Sequence, residues 1–95
     1  MKKGYIIASV NVSDPEAYST YAQASAIALK ANQGIALAKG GQQQILEGMA
    51  GARSVILEFP SYALAVAYYQ SIEYQTAKGH RLNAAVANII AVEGS

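Results

Sequence analysis

The chain has 95 residues, of which 53% are hydrophobic and only 14% charged, with a net charge of +1 and no cysteine. Such a length builds one hydrophobic core, so residues 1–95 are read as a single domain. The seven Lys and Arg are scattered, which gives no basic stripe for nucleic acid. Without cysteine there is no disulfide, thiolate nucleophile or zinc-thiolate site, and one histidine makes a poor metal centre, so neither metal nor cofactor is expected.

Lys2 and Lys3 followed by Tyr5 to Val10 look briefly like a secretory leader, but Ser9 and Asn11 interrupt the run and a strand is the better reading. No stretch approaches the roughly 20 apolar residues of a membrane span, and a soluble, cytoplasmic protein is expected. The alternation in Gly4 to Val12 puts Ile6, Ala8, Val10 and Val12 on one face and Tyr5, Ile7, Ser9 and Asn11 on the other. Asp14 then reads as a helix N-cap with Pro15 at the first helical position and Glu16 near the positive end of the dipole. Ser13 with Glu16 is a competing capping box. The helix is expected to run to about Ala31, with Asn32 to Gly34 as the stop.

Ile35 to Lys39 is a short apolar segment, Gly40 and Gly41 permit a bulge or sharp bend, and Gln42 to Leu46 continues as extended chain before a turn at Gly48 to Gly51. Ser54 to Phe59 alternates clearly and Pro60 ends it. Ser61 caps a second helix, which Ser71 restarts after a bend and which Tyr74, Ala77, Arg81, Leu82, Ala85 and Val86 carry onward. Gly79 weakens that stretch by up to about 1 kcal/mol relative to Ala, which allows a kink. Ala87 to Glu93 is the last strand.

The order strand, helix, strand, strand, helix, strand predicts an α+β, ferredoxin-like βαββαβ domain: a four-stranded antiparallel sheet with both helices on one face. The other face, with Tyr5, Ile7, Ser9, Asn11, Ile56 and Glu58, is too apolar to stay in water. With charge well below the roughly 25% of an ordinary soluble domain, self-association as a homodimer is expected. Two such sheets face to face would enclose a chamber suited to a small molecule.

Asp14-Pro15-Glu16-Ala17-Tyr18 after the first strand, Gly40-Gly41, Leu46-Glu47-Gly48, Glu58-Phe59-Pro60-Ser61, and Tyr69 with Ser71, Glu73-Tyr74 and Arg81 together resemble the domain-of-unknown-function 1330 family over nearly the whole chain. The resemblance implies a dimeric α/β barrel. That superfamily includes cofactor-free monooxygenases of the antibiotic-biosynthesis type, muconolactone isomerase-like proteins and haem-binding relatives. Lys39 stands where family members often carry Arg, and Tyr68 where Trp is common. One fold hosts many chemistries, so function does not follow from it.

Glu58, between Leu57 and Phe59, is the candidate general base; its alternative is a structural pairing with Lys39, Arg53 or Arg81, or a side chain pointing to water at the strand end. His80, as the one histidine, could move a proton, and Arg81 could hold a substrate carboxylate. Tyr5, Ser9, Asn11, Lys39, Tyr69 and Tyr74 are the expected substrate contacts, because phenols can donate to an enolate or oxyanion. The expected function is a homodimeric binder of a small carbonyl or aromatic compound, with or without cofactor-free proton transfer or oxygenation. The alternative is a non-catalytic ligand carrier or accessory module.

Overall fold

A computed structural model describes residues 2–95. Strand β1 spans Gly4–Val12, helix α1 Pro15–Ala31, β2 Ile35–Lys39, β3 Arg53–Phe59, α2 Tyr62–Gln70, α3 Ile72–Arg81 and β4 Ala85–Glu93. The strands form one antiparallel sheet in the order β2-β3-β1-β4, the ferredoxin-like arrangement expected from the sequence. Because side chains alternate along each strand, the register fixes two different faces.

Ile6, Leu57 and Phe59 point to the helical side, where they pack with Ala28 of α1, Ala65 and Tyr68 of α2 and Tyr74 of α3. Ala8 and Val10 continue this core towards Tyr18, Ala84 and Ala85. Phe59 and Tyr74 are the largest side chains fully withdrawn from solvent, and truncating either ring to Ala would cost about 3–5 kcal/mol.

Local chemistry accounts for the helix ends. Asp14 caps α1 by accepting from the Ala17 N–H at 3.2 Å. Ser13 is not the cap; its hydroxyl donates instead to Ala84 O, tying the start of α1 to the start of β4. At the far end the Asn32 side chain donates to Ala28 O at 2.8 Å, and Gln33 takes the left-handed conformation at φ 65°. Ser71 serves two helices, donating to Tyr68 O at 2.7 Å as α2 ends and accepting from the Tyr74 N–H at 3.1 Å as α3 begins.

Two expectations need correction. The helix stops at Arg81, and Ala85 and Val86 belong to β4, because the nine-residue β1 offers them Val12 and Asn11 as partners. Gly79 lies inside an uninterrupted α3. Gln42 to Leu46 joins no ladder of the sheet; Gln43 donates to Gly51 O, and its side-chain oxygen accepts from the Ser54 hydroxyl, folding the loop back on β3.

The opposite face of the sheet is bare within one chain. The register lays Ile56, Ile7 and Ile90 in one row across it, and Ile35, Glu58, Tyr5 and Val92 in the next. Ile7, Ile35, Ile90 and Val92 are exposed.

Candidate functional site

The alternation that builds the core also leaves room in it. Small residues on the helical side, Ala8 on β1, Ala36 on β2, Ala87 on β4 and Ala22 and Ala26 on α1, leave the space between that helix and the sheet incompletely filled, and a hollow of about 60 Å³ remains. Tyr18, Tyr21, Tyr68, Tyr69 and Tyr74 wall it, and Lys39 and Arg53 supply its positive charge. A second, wider hollow of about 330 Å³ lies between α2, α3 and β4, bounded by Val66, Tyr69, Arg81, Ile90 and Ala91. Ile6, Tyr69, Ala87 and Ile89 border both, so the two hollows adjoin beneath the helices and are together called the crevice.

The tyrosines make a connected wall. Tyr74 packs against Tyr68 at 5.0 Å and Tyr69 at 5.1 Å between ring centroids, and meets Tyr21 edge-on at 6.2 Å. The hydroxyls of Tyr21 and Tyr74 share a hydrogen bond of 2.9 Å, and Lys78 Nζ donates to the Tyr69 hydroxyl at 3.0 Å. Burial pushes the Tyr21 phenol well above its ordinary range, the neighbouring Tyr74 and Tyr68 adding to the effect and Arg81 opposing it. Burial, then Tyr74, does the same for Tyr68. At neutral pH these groups are therefore hydrogen-bond donors and not bases.

Arg81 is the buried charge of the core, 7% exposed. Its guanidinium stands 5.6 Å from the Tyr21 ring centroid, and its Nε is shut off from solvent without a hydrogen-bond partner. Arg53 repeats the pattern, 5.6 Å from the Tyr18 ring with an unpartnered, buried Nε. Gly40 has φ 71°, a conformation that favours glycine, and a Cβ there would meet the Arg53 guanidinium, the flexible end of that side chain, and displace it.

The residues expected from the sequence divide between the two faces. Lys39, Tyr69, Tyr74 and Arg81 border the crevice. Tyr5, Ser9, Asn11 and Glu58 lie on the bare face: Glu58 Oε2 accepts from the Tyr5 hydroxyl at 3.1 Å, and that bond, above all, raises the Tyr5 pKa. Ser9 accepts from the Gly51 N–H at 2.6 Å and Asn11 from the Ala52 N–H at 3.0 Å, so both anchor the loop before β3. His80 is exposed on the last turn of α3. Arg53 was expected only as a partner for Glu58, yet it shares the strand parity of Val55, Leu57 and Phe59, which places it on the helical side.

The sheet order and helix placement define a ferredoxin-like α+β protein. The chain belongs to the family described as Domain of unknown function (DUF1330), which it matches over residues 3–95. Among solved structures it is similar to a protein of unknown function from Rhodopseudomonas palustris, with TM-score 0.70 and 23% identity over 96% of this chain and 81% of that one. It is also similar to a Caulobacter crescentus protein with the provisional name antibiotic biosynthesis monooxygenase, with TM-score 0.64 and 13% identity over 99% and 91% of the two chains. A dimeric ferredoxin-like protein of unknown function from Thermobifida fusca gives TM-score 0.59 and 13% identity over 96% and 92%. At these identities the likeness establishes the fold alone. No curated protein matches the chain.

Proposed function

We propose that this protein is a homodimer whose subunits each hold a small, partly apolar oxyanion-bearing compound, a carbonyl or aromatic acid, in the crevice between helices and sheet. The observation that carries this reading is Arg81, a buried guanidinium with an unpartnered Nε beside a hollow of about 330 Å³. Burying a cation is costly unless an anion compensates it, and among the described residues the walls of both hollows contain no carboxylate. A ligand oxyanion would fill that role through charge-assisted bonds to the planar fork of Arg81.

Dimerisation is supported by area. The chain exposes 6131 Å², against about 5,200 Å² for a folded monomer of its mass. The difference is close to the roughly 800 Å² that each partner contributes to a standard interface. The bare sheet face, with its rows of Ile and Val, is where a second copy would bury it, and the Thermobifida fusca neighbour is described as dimeric.

A catalytic version of the same site, cofactor-free proton transfer or oxygenation, is favoured by the protonated phenols, which are suited to stabilising an enolate or oxyanion. The name carried by the Caulobacter crescentus neighbour is in keeping with it. Among the described residues bordering the crevice there is neither carboxylate nor imidazole to act as base. Glu58 stands across the sheet, and the binding role is therefore the primary one.

The test is calorimetric titration of the purified protein with benzoate and hexanoate, repeated on Arg81→Gln. Saturable binding by the wild type and its loss in the variant support the reading. Absence of binding by the wild type, together with no small acid in mass spectra of denatured, untreated protein, refutes it.

A further inference from the structure

Arg81 has a counterpart. Arg53 enters the crevice from β3, where Gly40 leaves space for its guanidinium, and it lies over Tyr18 as Arg81 lies over Tyr21. The rings of Tyr18 and Tyr21 are themselves neighbours, with centroids 5.3 Å apart, so the two guanidiniums flank one tyrosine pair. Both have a buried Nε without a hydrogen-bond partner. Lys39 adds a third cation at the Arg53 end. Ile6, Ala87 and Ile89, apolar residues shared by the two hollows, lie where they adjoin.

A site for a single anion would need one such group. Two guanidiniums, each with a buried Nε that lacks a partner and with apolar and aromatic side chains between them, constitute a receptor with two charged ends. We infer that the crevice selects a small dianion, a dicarboxylate or an acid with a second oxyanion, bound with one end at Arg53 and the other at Arg81. The inference rests on the binding role proposed above and names the class of ligand that fills it. An arginine fork recognises a planar carboxylate through two parallel bonds, which gives each end directional as well as electrostatic preference. The hydrocarbon or ring between the carboxylates would lie along Ile6 and Ile89, displacing no buried polar group.

The experiment compares matched acids of one and two charges, adipate against hexanoate and terephthalate against benzoate, by calorimetry on the full chain. At least one dianion should bind about tenfold or more tightly than its monoanion, a factor equal to about 1.4 kcal/mol. Arg53→Gln and Arg81→Gln should each reduce that ratio to about one, with folding checked by circular dichroism. Arg53→Lys and Arg81→Lys, which keep the charge but not the fork, should give intermediate ratios should either Gln variant fail to fold. Equal binding of dianion and monoanion by the wild type overturns the dianion inference and leaves the binding role standing. A ratio that survives in both Gln variants overturns it as well. Failure of all four acids to bind, together with no small acid in mass spectra of denatured, untreated protein, removes the binding role itself.

Discussion

Tyr21 on α1 and Tyr74 on α3 meet hydroxyl to hydroxyl at 2.9 Å, the polar contact that closes the helical layer over the crevice. Tyr74 cannot turn to water without breaking its aromatic contacts with Tyr68 and Tyr69, nor Tyr21 without breaking its contact with Tyr18. Tyr74→Phe keeps the ring but leaves the Tyr21 hydroxyl unsatisfied in the core. It should cost about 1–3 kcal/mol, read as a lower urea midpoint. The double variant Tyr21→Phe with Tyr74→Phe removes both partners and should recover most of that loss; a double variant as unstable as the sum of the singles would show that the bond is not the cause.

Alkaline pH probes the same tyrosines. Tyr21 and Tyr68 have pKa values raised in the folded protein, chiefly by burial. Their contribution is fully present below the unfolded value of about 10. Above it the unfolded chain loses protons that the folded chain keeps, so stability should fall as pH rises, by up to about 1.4 kcal/mol per unit for each residue. Absorbance at 295 nm should show these two phenols ionising only as the protein unfolds. Early, reversible ionisation of all seven tyrosines would contradict the packing described.

Much of this architecture was legible in the residues. The alternation in Gly4–Val12, the Asp14 cap and the Ser71 restart each depend on neighbours within a few positions, and each stands where expected. The site was less legible, because it depends on which face of the sheet the helices cover. Tyr5 and Glu58 were expected in a chamber between two sheets, while the hollow within one chain lies on the helical side. The parity of Arg53 with Phe59 carried that information, but a charge at a strand start reads first as a solvated end. The end of α3 was missed for a different reason: Ala84, Ala85 and Val86 suit helix and strand alike, and the length of β1 decides between them.

Arg81 offers a separation of stability from function. A guanidinium maintained for a ligand is a burden on the empty protein, whereas one maintained for the fold is a support. Arg81→Met keeps a similar apolar stem and removes the buried charge. Replacing buried charge with a packed apolar side chain is often neutral or stabilising by about 1–4 kcal/mol. The variant should melt no lower than the wild type and should not bind small acids. A fall of several degrees in Tm, with acid binding retained, would assign Arg81 to the fold.

Gly40 joins backbone geometry to the Arg53 end of the crevice. At φ 71° a side chain is strained, and a Cβ would strike the Arg53 guanidinium. Gly40→Ala should therefore cost about 1–3 kcal/mol and also weaken acid binding, because Arg53 must move. Gly41→Ala, at the next position with no atom within 4 Å of its Cβ, is the control and should change neither. Identical behaviour of the two variants would show that the close approach of Gly40 and Arg53 is not significant.

The bare sheet face gives the last test. Ile7 lies between Ile56 and Ile90 in the middle of the sheet, and a second copy packed there would remove all three from water. A charge at that point would be buried without a partner in the dimer but free in the monomer. Ile7→Lys should therefore dissociate the dimer while leaving the helical core, on the opposite side of β1, undisturbed. Light scattering on a sizing column should give about twice 10.0 kDa for the wild type and 10.0 kDa for the variant, with unchanged far-ultraviolet circular dichroism. Ile27→Lys, on an exposed part of α1, should remain dimeric. A wild-type protein that elutes as a monomer at micromolar concentration would leave the apolar rows of β1, β3 and β4 without the occupant proposed for them.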